Sequence, residues 1–190
     1  MEFKIAILIS GNGSNMLNII KASQSGEIKS KIVTVISNKS NALGIKKAKN
    51  NNIKTKIIND KLLSKDEFET NLFEYLNKED VNLLCLAGFM KILSKNFIKN
   101  FGHKIINIHP SLLPSFKGLN THKRAINMNV KFSGCTIHYV NELLDSGDII
   151  DQEIVRIKKN DDENSLRKKI LMKEHKLYIK VLKKLEKNLE

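Results

Sequence analysis

The chain has 190 residues, 41% of them hydrophobic, and a formal net charge of +13. This length and apolar fraction fit one compact domain with a sizeable core. No apolar run approaches the length of a membrane span, and the start, Met1-Glu2-Phe3-Lys4, lacks the layout of a signal peptide. The lysines are scattered, there is no Trp, and Arg does not interleave with aromatics as in single-strand binders. The charge therefore reads as a solvated basic surface rather than a nucleic-acid face, one that attracts phosphates and polycarboxylates.

Apolar runs alternate with helix-like stretches. Residues 3–9 read as a buried strand, 13–25 as a helix, 31–37 as a strand, 42–51 as a helix and 54–58 as a short strand. A helix at 64–78, a strand at 82–87, a short helix at 94–100 and a strand at 104–108 follow. This alternation predicts a mostly parallel sheet covered on both faces, a three-layer doubly wound α/β domain. After Pro114 a short helix at 121–128 leads into strands at 134–140 and 149–157 with no long helix between them, which predicts an antiparallel edge. A long helix at 165–188 closes the chain. No repeat or linker divides it, so residues 1–190 read as one domain. Cys85 and Cys135 sit in apolar strand-like segments. They read as two small buried hydrophobes rather than a disulfide or metal pair, which implies a reducing, cytoplasmic setting.

Ser10-Gly11-Asn12-Gly13-Ser14-Asn15 joins the first strand to the first helix. Glycines permit a tight turn, and the unpaired N–H groups at a helix start favour an anion. No Gly-Lys-Ser/Thr follows, and Met16 occupies the third glycine position of a dinucleotide fingerprint. One phosphate therefore fits better than a pyrophosphate. A plain strand-to-helix turn explains the residues equally well.

The run Ile105-Ile106-Asn107-Ile108-His109-Pro110 ends a strand in an amide, an imidazole and a proline. Asn107 and His109 are two apart, so they face one side of the strand. Their place at the carboxyl end of the strand is where open α/β sheets bind ligands. An amide donor beside a titratable imidazole suits a reaction that builds negative charge on oxygen. His109 alone is equally a satisfied core histidine, and Asp145 alone is a loop acid capping a turn. In the last helix, Leu166, Ile170, Leu177, Val181 and Leu185 make one apolar stripe at about 100° per residue. Glu174 falls inside it, where a carboxylate needs a partner, either a lysine or a ligand.

Several motifs in one order, ILISGNGSN, SNK, LAGFMKILS, NIHPSLLPSFKGLNTHKRA, GCTIHYV, LDSGDII and KEH, resemble the 10-formyltetrahydrofolate-dependent formyltransferases over nearly the whole chain. The NIHPSLLPSFKGLNTHKRA stretch resembles most the branch that formylates glycinamide ribonucleotide in purine synthesis. The resemblance implies a nucleotide-phosphate half at about 1–100 and a catalytic and folate half at about 101–190. It makes Asn107, His109 and Asp145 the catalytic residues, with Asp145 partnering His109 and favouring its imidazolium. It puts Gly13, Ser14 and Asn15 on the ribose phosphate and Glu174 on the ribose hydroxyls. Backbone groups of Met90, Lys91, Ile92 and Leu93 would contact the pterin, and Asn141, Glu142, Leu143, Leu144 and Asp145 would close over it. Asn107 would also touch the formyl donor.

Lys65 and Lys91 stand where family members often carry arginine. Lysine loses the planar fork that grips a carboxylate, which weakens the implied contact of Lys65 with the folate glutamate. His122 and His175 read as peripheral or packing residues, and Leu113-Pro114 as a candidate cis bond. The implied chemistry needs no metal, membrane or nucleic acid, and the chain is a monomer or homodimer.

Three other readings compete. A formyltetrahydrofolate hydrolase would use the same trio but carries an extra N-terminal domain, for which the sequence leaves no room before its first motif. A methionyl-tRNA formyltransferase adds a C-terminal nucleic-acid-binding barrel. A basic nucleotide- or nucleic-acid-binding α/β module explains the charge and the glycine turn but not the trio.

Overall fold

The computed structural model describes residues 2–187. Met1 and the expected last helical residue, Asn188, lie outside them. Among the described residues, the strands β1 (Lys4–Ile9), β2 (Lys31–Ser37), β3 (Thr55–Ile57), β4 (Leu83–Leu86), β5 (Lys104–His109), β6 (Phe132–Tyr139) and β7 (Ile149–Arg156) form one sheet in the order β3-β2-β1-β4-β5-β6-β7. The pairs from β3 to β5 are parallel. The β5–β6 and β6–β7 pairs are antiparallel, as the missing crossover helix required. The helices are α1 (Ser14–Gln24), α2 (Leu43–Asn50), α3 (Lys65–Lys78), α4 (Lys95–Phe101), α5 (Thr121–Asn127) and α6 (Glu163–Lys187).

Alternation along β1 shows why three layers form. Ile5, Ile7 and Ile9 pack with Met16, Ile19, Ile45, Leu177 and Val181 on the α1, α2, α5 and α6 side. Ala6 and Leu8 pack with Phe68, Leu72, Phe97 and Phe101 on the α3 and α4 side. Neighbouring strand residues point to opposite faces, so a strand that is apolar throughout must be covered twice.

Local signals set several ends. Ser64 and Glu67 close a capping box at the start of α3. Ser94 caps α4 through the Phe97 amide, and Gly102 at φ 70° ends it. The sequence ends differ from the structure at tertiary contacts. The β6 strand begins at Phe132, two residues earlier than expected, because its pairing with β7 continues to Arg156. The β5 strand runs one residue further, to His109, which lies opposite Thr136. The α6 helix starts at Glu163, two residues before the expected Ser165. The peptide bond between Leu113 and Pro114 is cis. No helix among the described residues is long and apolar enough to cross a membrane.

The chain runs from β1 outward to β3, then returns to lay β4 on the other side of β1. The carboxyl ends of β1 and β4 therefore open a crevice at a topological switch point. The glycine turn follows β1 and the segment 88–93 follows β4, and the Ser10 N–H joins them by donating to Gly88 O at 3.1 Å.

Candidate active site

The glycine turn is held from three sides. Gly13 adopts φ 66° and caps α1 without a side-chain hydrogen bond or an acid in the first turn, which leaves the helix start to an anion. The Gly44 N–H donates to Gly11 O at 3.0 Å, and Lys47 Nζ donates to Asn12 O at 2.8 Å. A Cβ on Gly44 would meet Ile9 Cδ1 at 2.4 Å and Gly11 O at 3.1 Å. The turn thus requires glycine in a second helix, which the sequence reading did not single out.

Asn107, His109 and Asp145 come together. They line one cavity of about 480 Å³ with Gly88 to Ile92, Gly118 to His122 and Leu144. His109 is buried, with Nδ1 3.3 Å from Asp145 Oδ2. Its Nε2–H donates to Phe116 O at 2.9 Å. The Phe116 carbonyl only accepts, so Nε2 carries a hydrogen, and Nδ1 faces the Asp145 carboxyl. Asp145 sits at φ 46° and accepts from the Gly118 N–H at 2.8 Å. Phe116, Gly118 and Asn120 also have positive φ, so the turn over His109 is tightly wound.

His138, which the sequence reading left unassigned, completes this cluster. It lies directly opposite Asn107 in the antiparallel pairing. The Asn107 Nδ2 to His138 Nε2 distance is 3.2 Å, and His138 Nε2 is 3.8 Å from Asp145 Oδ1. Its Nδ1 is 2.8 Å from Tyr139 O. A carbonyl only accepts, so Nδ1 carries the hydrogen. Burial depresses the His138 pKa, which keeps the ring neutral and Nε2 a lone-pair acceptor for the Asn107 amide. Asn107 is thereby oriented with its nitrogen toward this corner. Burial, followed by Arg167, also lowers the pKa of His122 at the cavity wall.

A smaller pocket of about 80 Å³ adjoins the trio, lined by Leu86, Phe89, Ile92, Leu93, Val140, Asn141, Leu143 and Leu144 among others. Leu143 and Leu144 are 63% and 49% exposed, an apolar rim open to a flat ligand. Asn141 turns the loop by accepting from the Leu143 N–H. Glu142 points away and pairs with Lys95 at 2.7 Å. Lys91 pairs with Asp60 at 2.8 Å. Lys65 is exposed at the first turn of α3 and lines neither cavity.

Glu174 is 8% exposed on the inner face of α6. Its Oε2 accepts from Asn15 Nδ2 at 2.7 Å. The partner is therefore the amide of the glycine turn, not a lysine. Burial raises the Glu174 pKa, and the Asn15 hydrogen bond only partly offsets this. The carboxylate fixes the orientation of Asn15, whose buried Oδ1 has no partner among the described residues. Two acceptors are thus left side by side. Cys85 and Cys135 are buried free thiols pushed up to about 12 by burial. No cluster of three His, Cys, Asp or Glu suited to a metal occurs among the described residues.

A family model described as formyl transferase matches residues 3–182. The chain belongs to the formyl transferase family. The solved phosphoribosylglycinamide formyltransferase of Bacillus halodurans superposes on this formyl transferase with a TM-score of 0.94 at 36% identity, covering 98% of this chain and 97% of that one. The phosphoribosylglycinamide formyltransferase of Haemophilus influenzae is 42% identical over 95% of this chain and 85% of its own length. The trifunctional purine biosynthetic protein adenosine-3 of Bos taurus is also 42% identical over 92% of this chain, which spans 17% of that protein. The doubly wound sheet with its antiparallel edge and long last helix is the architecture of these neighbours.

Proposed function

We propose that this protein moves the formyl group of 10-formyltetrahydrofolate to the amine of glycinamide ribonucleotide. The products are formylglycinamide ribonucleotide and tetrahydrofolate, and the step belongs to purine synthesis in the cytoplasm. The observation that carries the reading is the meeting of Asn107, His109 and Asp145 in one cavity with the segment after β4, beside an apolar slot. The names and identities of the relatives support it.

Each substrate has a place. The ribose phosphate takes the free amides of Gly13, Ser14 and Asn15. The ribose diol offers two hydroxyl hydrogens, which matches Glu174 and the unpartnered Asn15 Oδ1. The pterin enters the pocket below Leu143 and Leu144 against backbone groups of Met90, Lys91, Ile92 and Leu93. The Asn141 to Asp145 loop flanks it.

In the reaction, the amine nitrogen attacks the formyl carbon and a C–N bond forms while the carbonyl becomes an alkoxide. Asn107, one amide hydrogen held by His138, offers the other to that oxygen. His109 offers a second hydrogen once the turn at Phe116 releases Nε2. Preorganised donors of this kind stabilise developing charge without reorganisation. Asp145 faces the imidazolium and accepts the amine proton through water. Breaking the bond to the folate nitrogen returns a proton to that nitrogen and leaves the formyl group on the amine.

The test is to incubate the protein with both substrates and follow formylated nucleotide, with water and formyl-acceptor tRNA as competing acceptors. Formate release alone would point to hydrolysis, and formylated tRNA to the other branch.

A further inference from the structure

Behind the cavity a continuous run of polar groups joins the end of β1 to the segment after β4. Ser10 grips that segment twice. Its backbone N–H donates to Gly88 O at 3.1 Å, and its Oγ accepts from the Met90 N–H at 2.9 Å. The single hydroxyl hydrogen then goes to Asn38 Oδ1 at 2.7 Å. With its oxygen used, Asn38 presents Nδ2 to Asp60 Oδ2 at 2.9 Å. Asp60 only accepts, and it receives Lys91 Nζ at 2.8 Å. Lys91 is the residue after Met90, so the run closes into a ring. Ser10 and Asn38 are buried, at 5% and 1% exposure. Every donor in the ring has one acceptor, and the direction of each bond is forced by its neighbour. Buried polar chains satisfied in this way specify a single geometry.

We propose that Ser10, Asn38, Asp60 and Lys91 form a brace that fixes the formyl-donor segment against the glycine turn, with Lys91 a positioning residue and not a ligand of the donor's glutamate. The inference rests on the proposed function for the identity of the donor. Asp60 holds the Lys91 ammonium at 2.8 Å, and the Lys91 contact in turn keeps the Asp60 carboxyl below the usual range. The ammonium is anchored on Asp60 while the residue lines both cavities, so the pair sets where this wall stands. The backbone of Met90 to Leu93 is set from both sides, by Ser10 at its start and by Lys91 within it. The spacing between the two substrates then follows from the brace.

The experiment measures kcat/KM and equilibrium donor binding for Lys91→Met, Lys91→Arg, Asp60→Ala and Asp60→Ala/Lys91→Met. Two donors are used, 10-formyltetrahydrofolate and the 10-formyltetrahydropteroate that lacks the glutamate. The brace predicts that Lys91→Met and Asp60→Ala each weaken both donors by the same factor, about five- to tenfold, the scale of one hydrogen bond. The double variant should be no worse than the worse single, and Lys91→Arg should recover most of the loss. A defect in Lys91→Met confined to the glutamate-bearing donor overturns the proposal, as does Asp60→Ala binding that donor as well as or better than wild type. A lower Tm with unchanged donor binding also overturns it, because the ring would then be structural only. Lys91 is 45% exposed in its side chain, so its variants should fold even if those at Asp60 do not. A wild type that binds donor but formylates no glycinamide ribonucleotide refutes the proposed function while leaving the brace testable by binding. A wild type that binds neither donor overturns both.

Discussion

Glu174→Gln should make this protein more stable at neutral pH while impairing its use of nucleotide. The carboxylate is 8% exposed and receives one hydrogen bond, from Asn15 at 2.7 Å. A charge-assisted hydrogen bond contributes about 1.5–3 kcal/mol, whereas removing a carboxylate from water costs several kcal/mol. The direction of the pKa agrees: burial outweighs the bond and raises it from 4.5. The folded state therefore binds the proton more tightly than the unfolded chain does. The Glu174 contribution is fully present below the unfolded value and is lost as pH rises through the raised folded value. Glutamine keeps the volume and an acceptor for Asn15 but removes the charge. The expected gain is about 1 kcal/mol at pH 8, or roughly 2–4 °C in Tm for a chain of this size. The gap should narrow toward pH 4.5. Thermal unfolding of both proteins across that range checks it. A less stable variant at pH 8, or a gap independent of pH, would refute the reasoning. In steady-state assays the same variant should raise the KM for the nucleotide several-fold with little change in donor binding, because one ribose hydroxyl loses a charged acceptor.

Asn107→Ala and His109→Ala should each lower kcat on the order of a hundredfold or more with far-ultraviolet circular dichroism unchanged; near-normal turnover in purified His109→Ala would remove the assigned chemistry. Asp145→Asn deletes the anion facing His109 at 3.3 Å and the acceptor for the amine proton, so kcat should fall on the order of a hundredfold or more, and near-normal turnover would dismiss its role. Gly44→Ala places a methyl 2.4 Å from Ile9 Cδ1 and 3.1 Å from the Gly11 carbonyl. Overpacking against the buried Ile9 side chain and the turn backbone should cost about 1–3 kcal/mol in urea unfolding and weaken nucleotide affinity, whereas unchanged stability would mean that Ile9 and the glycine turn yield easily.

The sequence by itself marked the elements and, in Asn107 and His109, two side chains that the fold brings into one cavity. Apolar runs of strand length spaced by amphipathic stretches dictate a two-faced parallel sheet, because a strand apolar on both sides must be covered on both. The i, i+2 spacing of Asn107 and His109 put them on one face, and the helical stripe exposed Glu174 as an anomaly. These signals are local, carried by periodicities of two and 3.6 residues. Only the tertiary structure decided the partners. His138 bonds Asn107 because antiparallel register sets them opposite each other, although 31 residues separate them. Asn15 meets Glu174 across 159 residues because α1 and α6 lie side by side over the same face of the sheet. Asp60, after β3, takes Lys91, after β4, although β2 and β1 lie between those strands, because the Asp60 N–H is tied at 3.2 Å to Asn38 O at the end of β2. A side chain's type announces what it can donate or accept; which group it faces depends on strand order and register, and those are settled by how the whole chain buries its apolar surface.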